Sequence, residues 1–145
     1  MKIIEEYRDL FTVSPEYVLV HCISYDLKMG AGIAKEFTKR GVRKTLIGMN
    51  FPTWENKGFS MWTKMGDYDV INLITKDMYY HKPTYKSLKE SLEGLKYWAL
   101  YWNRKKFAMP RIGCGLDKLE WDKVKKIIQE EFEDTDVEIL VCNWK

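Results

Sequence analysis

Two glycine-containing loops carry the residues whose types and spacing best suit chemistry. Residues 109–117 read Met-Pro-Arg-Ile-Gly-Cys-Gly-Leu-Asp, so that two alternate glycines follow an apolar strand and an acid closes the loop. Glycines let backbone N–H groups approach a phosphate, and the acid would stand beside the attached sugar. Residues 29–34, which read Met-Gly-Ala-Gly-Ile-Ala, form a similar loop. Together the two loops predict a ligand with two phosphates.

Neither loop is one of the common nucleotide-binding motifs. The first has Lys35 where the dinucleotide fingerprint needs a third glycine. The chain has no Gly-x-x-x-x-Gly-Lys sequence, which excludes a P-loop. A glycine turn between a strand and a helix is also ordinary turn chemistry, so the loops alone do not identify the ligand.

The elements around the loops alternate between strand and helix patterns. We predict strands at 17–23, 59–64, 68–75, 107–109 and 137–142, and helices from Ala34 to a stop at Gly41, at 84–102 and at 121–132. The second and third strands form a hairpin around a glycine turn at 65–67. Alternating strands and helices indicate an α/β sandwich with a largely parallel sheet between helical layers. In such sheets ligands lie at the carboxyl ends of the strands, where both loops fall.

Composition limits the class of protein. The chain has 145 residues, of which 46% are hydrophobic and 14% aromatic, and we expect one domain over 1–145. Its net charge of +3, with no basic tail, makes a nucleic acid partner unfavoured. We expect a soluble cytoplasmic monomer, because the chain has no signal peptide or membrane-spanning run and Cys22, Cys114 and Cys142 resemble small buried thiols. His21 and His81 are the only histidines and no ligand spacing surrounds them, so we expect no metal and no cofactor.

Five blocks of sequence resemble one known family. They are His21-Cys22-Ile23-Ser24, the first loop at 29–34, Leu73-Ile74-Thr75-Lys76, His81-Lys82-Pro83-Thr84-Tyr85 and the second loop at 109–117. In this order they resemble the macro domain family, in the branch whose members remove ADP-ribose from glutamate. The resemblance covers most of the chain from about Val18 onward. It implies a three-layer α/β/α macro domain with a mixed central sheet of about six strands and an ADP-ribose cleft between the loops.

The resemblance also implies roles for individual residues. Lys76 would attack the anomeric carbon of the distal ribose, and Asp117 would assist proton transfer. The implied ligand-binding residues are Ser24, Met29, Gly30, Ala31, Gly32, Ile33, Thr75, Arg111, Ile112, Gly113, Cys114, Gly115, Leu116 and Trp144. Most of them would act through backbone N–H groups, which glycine leaves accessible.

This chemistry makes demands on the two catalytic candidates. An amine is a nucleophile only when neutral, so a nearby cation such as Lys82 or Arg111, or burial, is expected to lower the pKa of Lys76. Asp117 must be ionised to accept a proton. Asp77 is adjacent to Lys76, but successive side chains of an extended segment point in opposite directions, so we expect little coupling between them.

The adenine end differs from the family's usual pattern. Tyr17 stands where the family often keeps an acid before the second strand, with Glu16 one place earlier. The family's early acid corresponds to Asp9. We expect Trp144 to compensate by stacking, and Tyr79 and Tyr80 are further candidates, although most aromatic residues are core residues.

Three functions follow from the resemblance. The first is a hydrolase that cleaves groups from the distal ribose, acting on ADP-ribosyl-glutamate or on an O-acyl-ADP-ribose. The second is an ADP-ribose 1''-phosphate phosphatase that uses the same pocket. The third is a reader that binds ADP-ribose without chemistry.

Overall fold

The computed structural model describes residues 1–144. The strands are β1 (Lys2–Tyr7), β2 (Val18–Ser24), β3 (Phe59–Met65), β4 (Tyr68–Lys76), β5 (Lys106–Met109) and β6 (Glu138–Asn143). The helices are α1 (Gly32–Lys39), α2 (Val42–Ile47), α3 (Tyr85–Tyr101) and α4 (Trp121–Phe132), with one 3-10 turn at Leu10–Thr12.

The six strands form one mixed sheet in the order β1-β6-β5-β2-β4-β3. Five strands run parallel, and only the edge strand β3 is antiparallel to its neighbour β4. The parallel arrangement places the carboxyl ends of β1, β2, β4, β5 and β6 at the same edge of the sheet. The loops that follow these five strands therefore meet there.

The helices cover both faces of the sheet. One face packs against α3 and α4, through a core that includes Leu92, Phe107 and Ile128. The other face packs against α1 and α2, and its core includes Phe37 and Leu46. The predicted three-layer α/β/α sandwich is confirmed.

Local chemistry sets the ends of several elements. Thr84 and Ser87 form a reciprocal capping box at the start of α3, in which Thr84 Oγ1 accepts from Ser87 N at 2.9 Å and Ser87 Oγ from Thr84 N at 3.0 Å. Gly41 has a φ of 90° and separates α1 from α2. Gly66, with a φ of 59°, turns the β3–β4 hairpin as predicted.

Candidate active site

A cavity of about 1020 Å³ lies at the carboxyl edge of the parallel strands. Residues from the loops after all five parallel strands line it. They include Asp9 after β1, Ser24 at the end of β2 and residues 28–33 after it, Lys76 at the end of β4, residues 110–113 and 115–117 after β5, and Trp144 after β6. The cavity is large enough for a nucleotide-sized ligand.

The first glycine loop presents the beginning of α1 to this cavity. Met29 is buried and anchors the loop, whereas Gly30, Ala31 and Gly32 are exposed along the cavity wall. Ala31 is the N-cap residue and no side chain caps the helix there. The first N–H groups of a helix have no partner within the helix and point outward from its N-terminus, where they attract anions. This loop is therefore suited to bind a phosphate.

The second glycine loop is a tight turn with free donors. Gly113 has a φ of 73°, and its carbonyl accepts a hydrogen bond from Leu119 N at 2.8 Å. Within residues 1–144, the N–H groups of Gly115 and Leu116 have no hydrogen-bond acceptor. A Cβ at Gly32 would lie 4.0 Å from Leu116 Cδ1, so the two loops approach each other across the cavity.

Lys76 and Asp117 form an ion pair between the two loops. Lys76 Nζ lies 2.6 Å from Asp117 Oδ1, and the side chains are 13% and 16% exposed. Lys76 is the last residue of β4, while Asp117 closes the second loop 41 residues later. The carboxylate is therefore placed to accept a proton from the amine. The carboxylate partner of Lys76 is Asp117 and not its neighbour Asp77.

The expected cationic neighbours of Lys76 have other partners. Arg111 Nη2 lies 3.2 Å from Glu5 Oε1 on β1, and its guanidinium lies 5.5 Å from the centre of the Trp121 ring. Lys82 Nζ donates to the carbonyl oxygen of Leu116 at 2.6 Å. Both residues line the cavity, but the contacts of their charged groups are with Glu5 and Leu116, and the partner of Lys76 is the carboxylate of Asp117 where we expected a cation.

Asp26 joins two loops of the site and was missed in the sequence. Its Oδ1 accepts from Ser24 Oγ at 2.5 Å and from Lys28 N at 3.1 Å, and its Oδ2 accepts from Tyr79 N at 3.0 Å. Burial raises the pKa of this carboxyl, but these hydrogen bonds outweigh burial and lower the pKa overall. Asp26 thus ties the segment after β2 to the segment after β4. The available signal was an acid two residues after Ser24.

Two of the expected ligand-binding residues do not line the cavity. The side chain of Thr75 is buried within β4, and the structure gives its Oγ1 no partner among residues 1–144. Cys114 N donates to Arg111 O at 3.2 Å, and Cys114 Sγ donates to Ile112 O, so both groups are used inside the loop. The other expected residues, which are Ser24, Met29, Gly30, Ala31, Gly32, Ile33, Arg111, Ile112, Gly113, Gly115, Leu116 and Trp144, all line it.

The thiols near the site are not suited to nucleophilic catalysis. Burial and the nearby Asp117 carboxylate raise the pKa of Cys22, which lines the cavity. Burial also raises the pKa of Cys142 to about 11. Cys142 is buried and the other two cysteines are half-buried, and all three thiols are free. A protonated thiol is a poor nucleophile, which leaves the amine of Lys76 as the candidate.

Trp144 and Asp9 both line the cavity, whereas Tyr17, which stands where the family often keeps an acid, does not. The Trp144 ring lies 5.1 Å from that of Tyr7, and Asp9 lines the cavity while its Oδ1 accepts from Phe11 N at 3.0 Å. Tyr17 and Glu16 lie outside the cavity lining, and the Tyr17 hydroxyl donates to Glu138.

The two histidines have structural partners. His21 is buried in β2 with Nε2 2.6 Å from Asn72 Oδ1, although its Nδ1 has no partner within residues 1–144. His81 Nδ1 accepts from Met78 N at 3.3 Å and closes the turn after β4. In the described part of the chain, no cluster of histidine, cysteine or acidic side chains is arranged to hold a metal. No helix among residues 1–144 has the length and apolarity needed to cross a membrane.

Two curated relatives match most of the chain. It is 44% identical over 134 residues to ADP-ribose glycohydrolase OARD1 of Bos taurus, and 42% identical over 134 residues to the Homo sapiens protein of that name. Each match covers 92% of this chain and 86% of the relative. None of the models of known protein families matches the chain.

The fold also matches solved structures. The macrodomain of Mycobacterium tuberculosis DarG superposes with a TM-score of 0.77, covering 98% of this chain and 96% of that chain. The two sequences are 21% identical. At this level of identity the match shows the fold alone.

Proposed function

The chain belongs to the macro domain family, in the branch of the ADP-ribose glycohydrolases, and we propose that it hydrolyses the bond between the distal ribose of ADP-ribose and an acyl group. Its substrates on this proposal are ADP-ribosyl-glutamate in proteins and small O-acyl esters of ADP-ribose. The names of the relatives and the geometry of the cavity support the same reaction class.

The Lys76–Asp117 pair is the observation on which the proposal rests. The two side chains come from different elements and meet at 2.6 Å in the cavity between the glycine loops. Both are mostly withdrawn from solvent, where an ion pair with no chemical role gains little net stability after the cost of desolvation. Mostly buried charge pairs that line a cleft are typical of functional sites.

The loops would hold the substrate. The free N–H groups at the start of α1, together with those of Gly115 and Leu116, bind the two phosphates. Trp144 packs against the adenine. The distal ribose is then left at the end of the cavity where β4 ends, next to Lys76.

The proposed reaction has two steps. Asp117 accepts a proton from Lys76 Nζ, and the neutral amine attacks the anomeric carbon of the distal ribose. A C–N bond forms, the C–O bond to the acyl group breaks, and its electron pair leaves with the carboxylate. Water then attacks the same carbon, and the C–N bond breaks to release ADP-ribose and regenerate the amine. Asp117 carries the protons between these groups.

Turnover of three substrates by matched variants tests the proposal. The substrates are a peptide ADP-ribosylated on glutamate, O-acetyl-ADP-ribose and ADP-ribose 1''-phosphate. We expect the wild type to process the first two, and Lys76→Ala and Asp117→Ala to lose activity by at least about a hundredfold. The control is Lys105→Ala. It removes another lysine–aspartate pair outside the cavity, in which Lys105 Nζ lies 2.7 Å from Asp136 Oδ2.

The same experiment separates the alternatives. Turnover of the phosphate alone would identify a phosphatase and exclude the Lys76 mechanism. Binding of ADP-ribose without turnover of any substrate would identify a reader. Full activity in both site variants would contradict the assignment of Lys76 and Asp117.

A further inference from the structure

A group of exposed aromatic and basic side chains lies beside the Lys76 end of the cavity. We call it the acceptor surface, and it consists of Lys28, Tyr79, Tyr80, His81 and Lys82. Tyr79 and Tyr80 are 53% and 64% exposed, so their rings are open to contact with a ligand. Tyr79 and the two lysines also line the cavity, whereas Tyr80 and His81 extend the surface away from it.

The acceptor surface carries positive charge with no acidic partner. Neither Lys28 nor Lys82 has a carboxylate within 4 Å among residues 1–144, unlike Lys64, Lys96 and Lys105, each of which is paired with an aspartate. The nearby carboxylate of Asp26 accepts hydrogen bonds from Ser24 Oγ, Lys28 N and Tyr79 N and forms no ion pair with either lysine. Lys82 Nζ donates to the neutral carbonyl of Leu116, so no carboxylate neutralises either ammonium group and both can attract negative charge on a ligand.

The aromatic rings of this surface are held in place before any ligand binds. Asp26 accepts a hydrogen bond from Tyr79 N, and Lys28 Nζ lies 5.5 Å from the centre of the Tyr79 ring. The rings of Tyr79 and Tyr80 meet edge to face at 5.4 Å, and those of Tyr80 and His81 lie 4.7 Å apart. Ordered, exposed rings lose little conformational entropy on binding and are favoured at protein interfaces.

We propose that the acceptor surface binds the polypeptide that carries the ADP-ribose, and that it selects segments with acidic residues next to the modified glutamate. This inference rests on the proposed function, because the acyl group leaves the distal ribose at the Lys76 end. The tyrosines contact the peptide chain, while Lys28 and Lys82 attract the flanking carboxylates. Small esters of ADP-ribose have no flanking residues and do not reach Tyr80 and His81, which lie outside the cavity lining.

Paired peptides test the selectivity directly. One peptide carries ADP-ribose on a central glutamate between aspartates, and the other has serines at the same positions. We expect kcat/KM to favour the acidic peptide by about fivefold, as for two exposed ion pairs, and the preference to fall at about 0.5 M salt. Equal values for the two peptides would overturn the proposal.

Variants assign the preference to the surface. Lys28→Glu should remove most of the preference for the acidic peptide. Lys126→Glu, on an exposed position of α4, changes the net charge equally and should preserve it. Tyr80→Ser should raise KM for both peptides about threefold and leave O-acetyl-ADP-ribose turnover unchanged. An equal loss of preference in both lysine variants would contradict the proposal.

Peptide affinity is measured together with turnover, so that failure of the proposed hydrolase function can be distinguished from failure of the acceptor surface. Absence of turnover for every substrate would refute the proposed hydrolase function. Tighter binding of the acidic peptide in that case would still support the acceptor surface, and equal binding would refute it.

Discussion

Acidification should destabilise the fold through His21, which lies in β2 directly before the residues that enter the site. Its ring stacks on that of Phe37 in α1 at 3.9 Å. Asn72 donates through Nδ2 to Met61 O and Thr63 Oγ1, so its Oδ1 is the acceptor and His21 Nε2 carries the proton. Protonating Nδ1 would place a second N–H where the structure offers no acceptor within residues 1–144.

The size of the effect follows from the pKa. Burial lowers the pKa of His21 from 6.5 to about 4, although the hydrogen bond to Asn72 opposes the shift. The folded state therefore binds this proton less readily than the unfolded state. His21 costs no stability above pH 6.5, and the cost grows as the pH falls towards 4. Linkage gives a loss of about 2 kcal/mol at pH 5 and about 3 kcal/mol at pH 4.

Urea unfolding of the wild type and of His21→Leu between pH 7.5 and 4.5 measures this term. The variant leaves Asn72 Oδ1 unpaired and starts less stable, so the comparison uses the change with pH and not the absolute value. We expect the free energy of unfolding of the wild type to fall more steeply than that of the variant. Parallel curves would refute the assignment of a neutral, buried His21.

Three further predictions concern the loops of the site. Gly32 has a φ of 59°, which disfavours any side chain, so Gly32→Ala should lower the free energy of unfolding by about 1 kcal/mol. Gly48 has a φ of −81°, so Gly48→Ala should not lower it. Chemical denaturation of both variants measures the difference. Asp26→Ala should lower kcat/KM about tenfold by releasing the segments after β2 and β4, and Asp26→Asn, which keeps an acceptor oxygen, should retain more activity in steady-state assays. Trp144→Ala should weaken ADP-ribose binding about fivefold by calorimetry, and an unchanged affinity would remove Trp144 from the ligand site.

Elements with a strong local pattern were predicted correctly from the sequence. The stripe at 88, 92, 95 and 99 predicted α3, and the glycine between two β-rich runs predicted the β3–β4 hairpin. We did not predict β1 or α2. Strand β1 lies at an exposed edge and carries Glu5 and Glu6, so it lacks apolar alternation. Helix α2 has six residues, too few to show a helical period.

The residues that line the cavity were predictable from the sequence where they lie at the carboxyl ends of parallel strands. Both glycine loops and Lys76 follow parallel strands, so an α/β sheet brings them together whatever the details of packing. The partners of charged side chains were not predictable in this way. Arg111 pairs with Glu5, 106 residues earlier, because β1 lies at the end of the sheet beside β6. Nothing local in either sequence segment indicates that contact.

Peptide mapping by mass spectrometry after rapid quenching and hydride reduction, which traps the ring-opened imine form of a Lys76 adduct, tests the central claim most directly. With an ADP-ribosylated glutamate peptide as substrate, the account predicts a transient ADP-ribosyl adduct on Lys76 that forms and decays at rates compatible with turnover. Steady turnover with no adduct on Lys76, or with an adduct on another residue, would contradict it.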